Sequence, residues 1–202
     1  MFKPRFRSVV APLLLGALIA GCDTQDAAEA QGGEEVAPET GDEAFSGFVD
    51  RTFAGDAMPA VTVTDPTGAT LALGEPAGKP VLLNLWATWC VPCVTEMPLL
   101  DRIAGEMGDR LTVLTVSEDL EGTTTVPPFF AEKGFRHLPQ WLDQTNELAF
   151  AFGGGGSLPL TVMYDAAGKE LWRVIGAYDW ESEEARALLE EAASASASAS
   201  GA

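Results

Sequence analysis

A nearly continuous apolar run, Val81 to Trp86, is broken only by Asn84 and is followed, after three intervening residues, by Cys90-Val91-Pro92-Cys93. A run of that length reads as a central strand buried on both faces. Pro92 suits the first turn of a helix, where a missing N–H costs little, so a helix is expected to begin just after Cys90. Met97, Leu100, Ile103, Ala104 and Met107 carry its apolar face, and Pro98 inside the pattern is expected to kink it. The two cysteines therefore fall where a buried strand hands over to a helix. Unpaired N–H groups and the positive dipole end stabilise a thiolate on the first cysteine. The second lies one turn on, within reach of the first sulfur, a geometry that supports cycling between dithiol and disulfide.

Three other uses of the pair compete with that one. A metal site needs two further ligands, and the chain has three Cys and one His in all, so no metal is assigned. Covalent haem attachment needs a His after the second Cys, where Val94 stands. A purely structural disulfide closing so small a loop would add little stability. The strand-to-helix setting favours redox chemistry, and no cofactor beyond the thiols is implied.

The rest of the pattern is that of an α/β chain. Phe45, Phe48, Val49 and Phe53 recur at helical spacing, which predicts a short packing helix over 45–56. Val61–Thr64 and Thr70–Leu73 flank Asp65-Pro66-Thr67-Gly68 as a β-hairpin. Leu111–Val116 is a second buried strand. The Glu118-Asp119 pair after it reads as a solvated loop. Val126–Gly134 is expected as a helix begun by Pro127-Pro128, and Glu147–Phe152 as another, stopped by the glycines at 153–156. Leu160–Tyr164 and Leu171–Ile175 form a second hairpin. Ser182–Glu191 is a closing helix with Ser182 as its N-cap, and residues 192–202, all Ala, Ser and Gly, read as a disordered tail. His137, the only histidine, falls in a loop and reads as a surface or structural residue.

Lys3, Arg5 and Arg7 precede an apolar run from Val9 to Ala20, shorter than the roughly 20 residues of a membrane span. That is the form of a secretory signal peptide, here residues 1–21. Its end, Ile19-Ala20-Gly21-Cys22, resembles a bacterial lipobox, which implies cleavage before Cys22 and lipid attachment to it. Asp23 points to the inner membrane. Residues 22–44 hold eight acidic residues and no basic one, and are expected to be a disordered tether. With 12 Lys+Arg against 30 Asp+Glu, the formal charge is −18. That excludes nucleic-acid binding through phosphate contacts, which needs clustered cations.

Asn84-Leu85-Trp86-Ala87-Thr88-Trp89-Cys90-Val91-Pro92-Cys93, with Glu96 and Pro98 after it, resembles the active site of the TlpA/ResA-like thiol-disulfide oxidoreductases of the thioredoxin fold. The resemblance spans about residues 57–190. The four glycines at 153–156 depart from its pattern. It implies a mixed central sheet flanked by helices, with an N-terminal β-hairpin extension, over a domain at 57–191. It also implies that Leu158-Pro159 is the family's cis-proline, facing the dithiol, with the backbone before it pairing with a client. Glu96 would take a proton from Cys93. Trp89 would contact substrate, while Trp86 packs.

The resemblance further implies reduction of cysteine pairs in client proteins on the periplasmic side of the inner membrane. Those clients would be apocytochrome c or copper-assembly proteins of cytochrome oxidase, and a membrane electron donor would restore the dithiol. A Cu(I) metallochaperone and a disulfide-donating oxidant are the alternatives. Soft sulfur suits Cu(I), but the spacing of two residues between the cysteines and the setting of His137 do not match copper-assembly relatives of the fold.

Overall fold

In a computed structural model the described residues are 45–75, 78–154 and 157–199. The expected signal peptide, Cys22 and the acidic tether lie outside them. Strand β4 (Val81–Trp86) is the buried central strand expected from its composition. Its side chains alternate between two cores. Leu82 and Trp86 face one, and Val81, Leu83 and Leu85 face the other, as a period of two dictates.

Helix α1 (Val91–Met107) follows β4 directly and runs past Pro98 as one element. Strand β5 (Thr112–Ser117) then pairs parallel to β4, and α1 supplies the crossover that a parallel pair requires. On the far side of β4, β7 (Leu160–Tyr164) runs antiparallel to it, and β8 (Glu170–Ile175) forms a hairpin with β7. The N-terminal hairpin of β2 (Thr62–Thr64) and β3 (Thr70–Ala72) is as expected.

Two strands had no sequence signal. Strand β1 (Phe48–Asp50) occupies the stretch expected as a helix and pairs antiparallel with β8. The aromatic spacing fits a helix, but Gly47 donates its N–H to Ala177 O at 2.7 Å, and the β8 edge takes the segment instead. Strand β6 (Trp141–Leu142) is two residues long and joins β5 to β2. The complete order is β1-β8-β7-β4-β5-β6-β2-β3, a mixed sheet with the hairpin extension at one edge.

Helix α2 (Gly122–Lys133) begins four residues before the expected start and holds both prolines inside it. The Thr124 and Thr125 hydroxyls donate to Glu121 O, at 3.0 and 3.1 Å, and close its first turn. Its Phe129 and Phe130 rings stand 5.3 and 5.8 Å from Trp86. Helix α3 (Glu147–Ala151) is where expected.

Helix α4 (Glu183–Ala199) continues well past residue 191, so most of the stretch expected as a disordered tail is helical. Alanine is the strongest helix former, and Ala192 is buried in the core cluster. Ser182 Oγ accepts the Ala185 N–H at 3.1 Å, the expected cap. Among the described residues no helix is long and apolar enough to cross a membrane.

Candidate active site

Cys90 is the N-cap of α1. Its backbone is extended (φ −87°, ψ 98°) and its sulfur accepts the Cys93 N–H at 3.3 Å. The Cys90 N–H returns to Ala87 O at 3.1 Å, and Cys90 O accepts from Val94 at 3.0 Å. The chain thus turns from strand into helix within four residues and brings the two Cα atoms to 5.3 Å, joined by a disulfide. Cys93 is fully buried, while Cys90 keeps 5% exposure. Trp89 and Val91, on either side of Cys90, are 69% and 75% exposed. Cys90 is therefore the sulfur an incoming group can reach.

Glu96 lies one turn after Cys93 on the buried face of α1 and has no exposed surface. Three donors meet it. Asn84 Nδ2 donates to Oε1 at 2.9 Å, and the Tyr178 N–H and Trp180 Nε1 donate to Oε2 at 2.9 and 3.2 Å. Burial pushes its carboxyl up to about 7, and the bonds from Tyr178, Trp180 and Asn84 only partly oppose that. The carboxyl can therefore exchange a proton near neutral pH, one helical turn from Cys93 on the same buried face of α1. Sequence reasoning missed these three partners. Asn84 alone carried a signal, as the one polar residue in a strand buried on both faces.

The Leu158–Pro159 peptide bond is cis. Leu158 packs against the core cluster that contains both cysteines, and Pro159 O accepts the Gly176 N–H at 3.0 Å. Trp86 is buried beneath α2, in a packing role.

The Glu118-Asp119 pair is not a solvated loop. Both residues are buried. Asp119 accepts from Thr88 and from Ser117 Oγ, and so anchors the stretch that leads to Cys90. Glu118 accepts from Asn146 Nδ2 at 2.9 Å. Its burial, followed by the charge of Asp143, raises it to about 7. Charge is the ordinary sign of a surface residue, and the partners that overturn it lie up to 31 positions away. His137 is an exposed loop residue, its backbone N–H held by Asp101 Oδ1. Among the described residues no group of three or more His, Cys, Asp or Glu is placed to hold a metal ion.

The redoxin family model matches residues 53–189. The chain belongs to the redoxin family. Over 122 residues this redoxin is 30% identical to the thiol-disulfide oxidoreductase ResA of Bacillus thuringiensis (strain Al Hakam), covering 60% of this chain and 69% of that protein. It is 48% identical over 61 residues to a thioredoxin of Mycolicibacterium smegmatis, covering 30% of this chain and 53% of that one.

Among solved structures it resembles the exposed lipoprotein thioredoxin Etrx1 of Streptococcus pneumoniae, with a TM-score of 0.52 and 27% identity over 65% of this chain and 98% of that one. It shares its fold with a secreted thiol-disulfide isomerase of Corynebacterium glutamicum, with a TM-score of 0.59 and 19% identity over 74% of this chain and 91% of that one. This redoxin is a thiol-disulfide oxidoreductase of the thioredoxin fold, with Cys90 and Cys93 as its redox pair.

Proposed function

We propose that this redoxin is an extracytoplasmic protein-disulfide reductase, tethered to the periplasmic side of the inner membrane by lipid on Cys22. The observation that carries the reductase reading is the buried Glu96, with a carboxyl near 7, one turn beyond a buried resolving cysteine. In the reduced enzyme the Cys90 thiolate attacks one sulfur of a client disulfide. A mixed disulfide forms, and the other client sulfur leaves as a thiolate. Cys93 gives its proton to Glu96 and attacks the Cys90 sulfur, which frees the second client sulfur. Two electrons pass to the client, and Cys90–Cys93 ends as the disulfide. A membrane dithiol donor returns the two electrons.

The exposed Trp89 contacts the client, and the backbone before cis-Pro159 pairs with its extended segment. The clients are proteins whose paired cysteines must be reduced before they bind haem or copper. The Ile19-Ala20-Gly21-Cys22 sequence and the likeness to a lipoprotein thioredoxin support the location. The test is the reduction potential of the mature chain equilibrated against glutathione and dithiothreitol. A value near or below about −270 mV is expected, and one near about −120 mV, that of a strong oxidant, would recast the protein as a disulfide donor.

A further inference from the structure

Asn84 on β4 stands directly opposite Thr161 on β7, and both side chains are buried. The Asn84 amide nitrogen donates to Glu96 Oε1 and to Thr161 Oγ1, each at 2.9 Å. Its Oδ1 is buried without a hydrogen-bond partner. Both donors of this carboxamide are thus spent on one side, and its acceptor is left idle. That orientation suits an ionised Glu96, since a carboxylate only accepts.

A protonated Glu96 is a different partner. Its Oε2 already faces two fixed donors, the Tyr178 N–H and the Trp180 indole, so the proton goes to Oε1. There it meets the Asn84 N–H, donor against donor. Turning the carboxamide over removes the conflict. Oδ1 then accepts from Oε1–H, and the Thr161 hydroxyl changes from acceptor to donor toward the same oxygen. Either orientation leaves one end of the amide unpartnered, so neither is locked.

We propose that Asn84 is a positioning residue whose carboxamide turns over when Glu96 takes up a proton, passing the protonation state of the carboxyl to Thr161, two residues beyond cis-Pro159. The proton comes from solvent in the resting oxidised protein and from Cys93 during turnover. Among the described residues no charged side chain acts on Glu96. Glu96 meets Asn84 from β4 and Tyr178 N and Trp180 from the segment before α4, while Cys93 stands one turn before it on its own helix. Glu184 and Asp179 act on the Tyr178 phenol instead. In the disulfide form Cys93 does not titrate. In turnover the device would make the backbone at cis-Pro159 sensitive to whether the resolving thiol has released its proton, a consequence that rests on the reductase reading above. The turnover of the amide itself does not.

The test is a pH titration by NMR of the isotope-labelled, oxidised full chain from about pH 5.5 to 8.5 around the expected Glu96 midpoint. The Glu96 carboxyl carbon, the Asn84 side-chain nitrogen and the Thr161 side-chain carbons are expected to shift with one common midpoint. In Asn84→Leu, Thr161 loses that response while the Tyr178 amide, bonded to Glu96 directly, retains it. Loss of a donor to the charged form raises the Glu96 midpoint by about one pH unit, a tenfold change in proton affinity. An Asn84 nitrogen that stays flat through the Glu96 midpoint overturns the proposal, as does a Thr161 that still follows Glu96 in Asn84→Leu. The wild-type titration decides alone if the variant does not fold. No client enters the experiment, so a failed reductase assignment and a failed relay give separate signatures.

Discussion

Asp119 grips Thr88 twice: the Thr88 N–H donates to Oδ2 at 2.8 Å and its hydroxyl to Oδ1 at 2.7 Å. Ser117 Oγ donates to the same carboxylate at 2.7 Å, so the end of β5 and the turn before Cys90 share one anchor. Asp119→Ala leaves buried donors without an acceptor and is expected to cost about 2–4 kcal/mol of stability. Asp119→Asn keeps one acceptor and should lose less. Urea unfolding of both variants checks this. If the two match wild type, the anchor is not structural.

Glu96 gives stability a defined pH slope. Its folded carboxyl sits near 7, above the 4.5 of the unfolded chain, so the native state binds the proton more tightly. Its contribution is full below about pH 4.5 and is lost as pH rises through about 7, on the order of 3 kcal/mol in total. Glu118 is raised in the same direction and adds to the fall. Glu96→Gln should flatten the slope between about pH 5 and 7 to the share left by Glu118. Chemical unfolding at a series of pH values reads it, and an unchanged slope in the variant contradicts it.

Cys93→Ser should accumulate a mixed disulfide between Cys90 and a client, because the serine oxygen cannot displace it. Cys90→Ser should trap nothing, since Cys93 is buried. Non-reducing gels of the two variants after exposure to a disulfide-bearing peptide make the comparison. Trapping by both would show that Cys93 is reachable from outside.

Arg173 and Glu170 form a buried bidentate pair, with both bonds at 2.7 Å. The guanidinium also lies 3.8 Å from the centre of the Phe53 ring and 5.4 Å from that of Phe152. Glu170→Ala strands the cation and is expected to cost about 3–5 kcal/mol. Replacing both residues by apolar ones of similar volume should cost less. A double-mutant cycle in urea measures the difference, and an additive result removes the pair as a unit.

A Cβ on residue 47 would lie 2.5 Å from Gly176 O and 2.6 Å from Ala177 O. Gly47→Ala must therefore push β1 from β8. We expect the amides of β1 to exchange at least about tenfold faster with solvent, a local effect distinct from global unfolding. Hydrogen exchange by mass spectrometry resolves it, and unchanged protection there would contradict it.

The redox centre was readable because its signals are local. A both-face apolar strand, a proline in the first helical turn and two cysteines one turn apart lie within 13 consecutive residues, Val81 to Cys93. Strand β1 was not readable, because three residues carry no period of their own and their state is set by the β8 edge beside them. Strand β6 is shorter still and exists through its pairing with β5 and β2. The environment of Glu96 was half readable. Its burial follows from its position on the inner face of α1, but Tyr178 and Trp180 arrive from 82 and 84 residues away. Asp119 was misread for the same reason, since its partners come together only in the folded sheet.

The unequal exposure of the two sulfurs has a protective side. Cys90 keeps 5% exposure and Cys93 none, so an oxidant such as peroxide would meet the outer sulfur first and form a sulfenic acid there. Its neighbour is already placed to close the disulfide with loss of water, before further oxygen is added. The buried thiol would thus serve as an internal fuse, returning a chemically damaged centre to an ordinary oxidised state, ready for the next reduction.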